Sequence, residues 1–159
     1  MSSFFKFSSK FLFYPLLGCH WNIQTRSFTS FKEGDTVTLA KKITQEDVEK
    51  FAKLSGDTNP IHIDRVYVKN RTNFDDCVVH GALLNGLVSG VIGTRLPGPG
   101  TLVVKQELNF PSPCYVGEEV NLTVRLRELR KIVTVDFSCV TDSGKIVLWG
   151  NCKLRLQRL

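Results

Sequence analysis

The sequence predicts an α+β domain in which an antiparallel sheet wraps one central apolar helix. One observation is a single strongly apolar stretch, 79–92, whose hydrophobic residues recur at helical spacing. The other is a run of segments after Thr101 that alternate apolar and polar with period two and are joined by short turns. With 159 residues, 42% of them hydrophobic and 23% charged, the chain suits one ordinary domain with a real core. Collagen-like, low-complexity and wholly disordered readings are excluded. No stretch approaches the ~18 to 20 uncharged apolar residues of a membrane-spanning helix, so no stable membrane association is expected.

Residues 1–28 stand apart. They hold Lys6, Lys10 and Arg26 but no acidic residue, and six of the eleven Phe with five Ser. Basic, serine-rich and acid-free is the composition of a mitochondrial transit peptide. Phe11 to Leu17 is a short apolar run, as in a secretory signal, but Cys19-His20-Trp21 follows where small residues should stand. Arg26-Ser27-Phe28 suits a matrix peptidase, which would leave 29–159 as the domain and the mitochondrial matrix as its location. Removing those three cations from 21 leaves 18 basic against 15 acidic residues, a net charge of +3 instead of +6. That halves the basis for a nucleic-acid partner, and no RNA-binding motif is visible.

The elements follow in order. Asp35 to Leu39 alternates as a short strand. Thr44 can cap a helix, with Asp47 three residues on to close the capping box and Gly56 to end it. Asp57-Thr58-Asn59-Pro60 is turn chemistry, and 64–71 suits a short second helix. In 79–92, Val79, Leu83, Leu87 and Val91 form one row, with Leu84, Val88 and Ile92 beside it. Its glycines each cost ~1 kcal/mol relative to Ala, which implies a buried helix that another backbone approaches closely. Pro97-Gly98-Pro99-Gly100 breaks the chain. Strands are expected at 102–110, 119–129, 132–140 and 145–156, with Asp142-Ser143-Gly144 as a hairpin turn. Arg125, Arg127, Arg130 and Lys131 then form a solvated outer face. Cys77, Cys114, Cys139 and Cys152 show no CxxC spacing and suit small core residues in a reducing interior.

Two stretches carry chemistry. In Phe51-Ala-Lys-Leu-Ser-Gly-Asp57-Thr-Asn59-Pro60-Ile-His62-Ile-Asp64, a carboxylate and an imidazole stand five residues apart across a rigid turn. They can converge, and His passes protons either way near neutrality. Asp-x-Asn-Pro alone reads as readily as an Asx turn, but His62 between Ile61 and Ile63 points to a partly desolvated imidazole. The second stretch is His80-Gly81-Ala82-Leu83-Leu84, opening the buried helix. A helix start offers unpaired N–H groups, and glycine lets an oxygen approach them. Gly81 serves helix-to-sheet packing equally well on spacing alone, and His80 reads as a structural or capping histidine.

Together these stretches resemble the MaoC-like, or R-specific enoyl hydratase, branch of the hot-dog fold. Leu96-Pro-Gly-Pro-Gly100, Asn109-Phe-Pro-Ser-Pro113 and Tyr115-Val-Gly-Glu-Glu-Val120 extend the resemblance, which spans about 34–156. With the leader, it is similar to the mitochondrial members that serve type II fatty acid synthesis. The resemblance implies a single hot-dog domain, Asp57 and His62 as the catalytic pair, and Gly81 N–H as the oxyanion donor. It also implies that Asn59 supports the catalytic loop, that Ser89 lines the site, and that the protein is a homodimer. Cys77 departs from the family, where proline is common. The implied reaction is reversible dehydration of (R)-3-hydroxyacyl thioesters, carried by acyl carrier protein or CoA, to trans-2-enoyl thioesters. It needs no metal and no organic cofactor. A hot-dog thioesterase, or a non-catalytic acyl- or RNA-associated subunit, is the alternative.

Overall fold

The computed structural model describes residues 31–157, so the expected leader and its cleavage point lie outside the described residues. The chain runs β1 (Thr36–Lys42), α1 (Gln45–Ser55), α2 (Pro60–Ile63), α3 (Arg65–Arg71) and α4 (Gly81–Thr94). It continues with β2 (Thr101–Asn109), β3 (Glu119–Leu129), β4 (Val133–Thr141) and β5 (Ile146–Leu156). The five strands make one antiparallel sheet in the order β1-β3-β4-β5-β2. Strand positions match the expected ones to within a few residues; β1 runs on to Lys42 because its register with β3 continues to Lys42↔Glu119.

Alternation decides which face of the sheet is inside. In β3, Val120, Leu122, Val124 and Leu126 are buried, while Arg125 and Arg127 point to solvent, Arg127 onto Asp136 of the next strand. The β4–β5 hairpin closes at Gly144, whose φ of 81° most side chains would resist. Its N–H donates to Thr141 O at 2.8 Å. Inward residues of β3, β4 and β5 form one cluster with Leu84, Val88, Val91 and Ile92 of α4. Each such side chain contributes ~1.5 to 3 kcal/mol when fully buried. A polar link also joins helix to sheet. The Gln106 and Asn85 amides exchange two hydrogen bonds, Nε2–H to Oδ1 at 2.6 Å and Nδ2–H to Oε1 at 3.3 Å.

Two expectations need correction. Val79 does not belong to the helix: its N–H donates to Cys114 O at 2.7 Å, and Val78 forms an isolated bridge with Tyr115, so 78–79 is extended. Nor, among the described residues, does another backbone approach the α4 glycines. A Cβ built at Gly86, Gly90 or Gly93 would meet nothing within 4 Å. Those positions, with exposed Ala82 and Ser89, leave one smooth side of α4 uncovered.

The candidate active site

The site begins where α1 ends. Gly56 caps that helix in the left-handed conformation at φ 79°, and its N–H returns to Ala52 O. Ser55 Oγ donates to Phe51 O and accepts from Asp57 N–H, which fixes the next residue. Asn59 N–H donates to Asp57 Oδ1 at 3.3 Å, and Asn59 Oδ1 in turn caps α2 by accepting from Ile61 N–H. Pro60 opens that single turn, where its missing N–H costs nothing. Sequence reasoning gave a turn here and missed α2. Four residues show no periodicity; the signal was Asn before Pro, read as turn chemistry rather than a cap.

This turn carries His62 inward, 7% exposed, while the Asp57 side chain stays 53% exposed. His62 Nε2 and Asp57 Oδ2 lie 3.7 Å apart, too long for a hydrogen bond and short enough for one water oxygen to touch both. Val78 sets the imidazole. Its N–H donates to Ile61 O at 2.9 Å, and its carbonyl accepts from His62 Nδ1–H at 2.6 Å. A carbonyl only accepts, so Nδ1 carries a proton and the neutral ring keeps its lone pair on Nε2, toward Asp57. Sequence reasoning missed Val78 because its main chain does the work, and no side chain advertises that. The Cys77 N–H donates to Asp76 Oδ1 at 2.7 Å, a bond that proline there could not make.

His80 stacks on His62, with centroids 3.7 Å apart and planes 25° apart, and its Nε2–H donates to the Asp57 carbonyl at 3.0 Å. It occupies the N-cap position of α4 but makes no side-chain cap bond, which corrects the capping reading. Gly81, the first helical residue, has no hydrogen bond from its N–H among the described residues. The Phe110 ring lies over it: an added Cβ would sit 2.8 Å from Cε1. His62, Gly81, Leu84, Phe110, Cys114 and Val147 help line one cavity of about 390 Å³. Asp57, Asn59, His62 and Gly81 are therefore brought together through this loop, the stacked histidines and the helix start. Ser89 is not: it is exposed on the uncovered side of α4 and does not line that cavity.

Donor atoms of Asp57, His62 and His80 lie within 4.8 Å of one another. Two nearly parallel stacked rings direct their in-plane lone pairs side by side rather than at one point, and two of the four ring nitrogens donate to carbonyls. The set suits proton transfer better than a cation. The thiol at the cavity wall is inert: burial, and next the Glu118 carboxylate, push Cys114 up to about 12.

The chain is similar to known proteins along most of its length. A model of the MaoC like domain matches residues 29–143. An (R)-specific enoyl-CoA hydratase of Rhodospirillum rubrum is 43% identical over 126 residues, 77% of this chain and 86% of that one. A mitochondrial 3-hydroxyacyl-[acyl-carrier-protein] dehydratase of Arabidopsis thaliana is 32% identical over 127 residues, 77% of this chain and 75% of that one. The solved structure of the (R)-hydratase from A. caviae superposes with a TM-score of 0.77 at 35% identity, covering 81% of this chain and 99% of that one.

Proposed function

This chain belongs to the MaoC-like domain family, and we propose that it is a hydro-lyase acting on (R)-3-hydroxyacyl thioesters in the mitochondrial matrix. The observation that carries the reading is the 3.7 Å gap between His62 Nε2 and Asp57 Oδ2, with His62 itself lining a mostly apolar cavity. In the dehydration direction the thioester oxygen sits against Gly81 N–H. One such donor is typically worth ~3 to 4 kcal/mol of barrier, which makes the C2 proton removable. The pair takes the C2 proton and protonates the departing C3 hydroxyl, releasing one water and the trans-2-enoyl thioester. In reverse, the same two groups hold one water for attack at C3.

The mitochondrial setting rests on the acid-free leader and on similarity to the mitochondrial plant enzyme. That relative's name also supports acyl carrier protein as the donor of the acyl chain, with CoA thioesters as the simpler alternative carrier. A homodimer is supported by the uncovered side of α4 and by the apolar edge strand β2, where Leu102 and Val104 are half exposed.

The test is hydration of crotonyl-CoA by the purified protein, followed as loss of enoyl absorbance. Asp57→Asn and His62→Ala should each lower kcat by ~10²- to 10⁴-fold while leaving the melting temperature near that of the parent. Full activity in both variants would sink the assignment. Release of free thiol in place of absorbance loss would mark a thioesterase.

A further inference from the structure

We propose that His80 is a positioning residue that locks the acid–base pair to the oxyanion donor. The role rests on the hydro-lyase reading above. His80 is 2% exposed and reaches three parts of the site at once. Its Nε2–H holds the Asp57 carbonyl at 3.0 Å, its face lies on His62 at 3.7 Å, and the next residue along the chain is Gly81. Phe51, with its centroid 5.0 Å away and tilted by 56°, also packs on the His80 ring.

Helix capping does not explain a histidine here. The N-cap side chains that stabilise helices accept from the first-turn N–H groups, and this one does not. Packing does not explain it either. The His80 Nδ1 is buried with no partner among the described residues, a defect that a purely apolar ring of similar size would remove. What an apolar ring lacks is the donor to Asp57. That carbonyl belongs to a residue whose side chain is half exposed, and whose carboxylate leaves a 3.7 Å gap to His62 Nε2 with no direct hydrogen bond to hold it. The His80 bond keeps that gap from opening. Misplacement on the order of 1 Å costs ~10²-fold in such an arrangement. Binding of the acyl chain, made by the cavity wall, is untouched.

The experiment compares full-length parent, His80→Phe and His80→Gln in crotonyl-CoA hydration, with melting temperatures and the pH profile of kcat. Phe keeps a ring on His62 and removes the donor; Gln restores an N–H at similar reach. The expected result is a fall in kcat of ~10²-fold in H80F with KM unchanged, and recovery of most of that loss in H80Q. Parental kcat in H80F overturns the role and leaves the hydro-lyase reading standing. A parent protein that does not hydrate the enoyl thioester overturns that reading and this role with it. Should H80F not fold, H80Q decides alone. A folded H80Q as impaired as His62→Ala overturns the proposal, and one close to the parent supports it.

Discussion

At Gly81 a single hydrogen atom in place of a side chain decides what the helix start can do. A Cβ there would press on Phe110, whose ring is half exposed and free to turn aside. Gly81→Ala should therefore fold with little loss of stability, yet crowd the place where the thioester oxygen must meet the N–H. We expect kcat/KM to fall by ~10-fold or more, and Phe110→Leu in the same chain to recover part of the loss. Steady-state hydration kinetics of the single and double variants check this; equal kinetics for Gly81→Ala and the parent would refute it. Asp57, Asn59 and His62 were legible in the sequence because their partnership is local, six residues joined by a rigid turn. The stacking of His80 on His62 was not, since 18 positions separate them and only the fold of 78–80 brings the rings together.

Among the elements, α1 shows how far local chemistry reaches. Its capping box was expected and is present: Thr44 Oγ1 accepts from Asp47 N–H, and Asp47 Oδ2 accepts from Thr44 N–H. Burial works to raise the Asp47 carboxyl, but hydrogen bonds from Thr44 and Lys41 outweigh it and hold the group below its usual value. A carboxyl depressed in the folded state stabilises the fold above its unfolded value of 3.8, and that contribution is lost as pH falls through the lower folded value. Asp47→Asn should cost ~1 kcal/mol at neutral pH, and the difference from the parent should shrink below about pH 4. Denaturant titrations at pH 7 and pH 3 measure it; a gap that stays constant would contradict the reading. Helix α4 teaches the opposite lesson. Its apolar row and its small residues were both visible, but spacing tells that a face is smooth and not whether this chain or another covers it.

For the whole molecule, the sheet order leaves β1 and β2 as edges. The β2 edge carries Leu102 and Val104 at about half exposure, an apolar edge that would otherwise invite aggregation. With the bare side of α4, it leads us to expect a dimer. Sedimentation should give twice the chain mass, and Gly90→Arg should shift the protein toward monomer without unfolding it; a monomeric parent would refute the expectation. The sequence by itself determined the α+β plan, the strand run after Thr101, the α1 caps and the Asp57–His62 motif. Each rests on periodicity or on contacts a few residues apart, which the chain encodes locally. Only the tertiary structure decided that β2 pairs with β5, that Val78 fixes the His62 tautomer through its main chain, that His80 joins the two halves of the site, and that Ser89 faces outward. Those are long-range pairings of backbone groups and rings, and their geometry exists only once helix and sheet are packed.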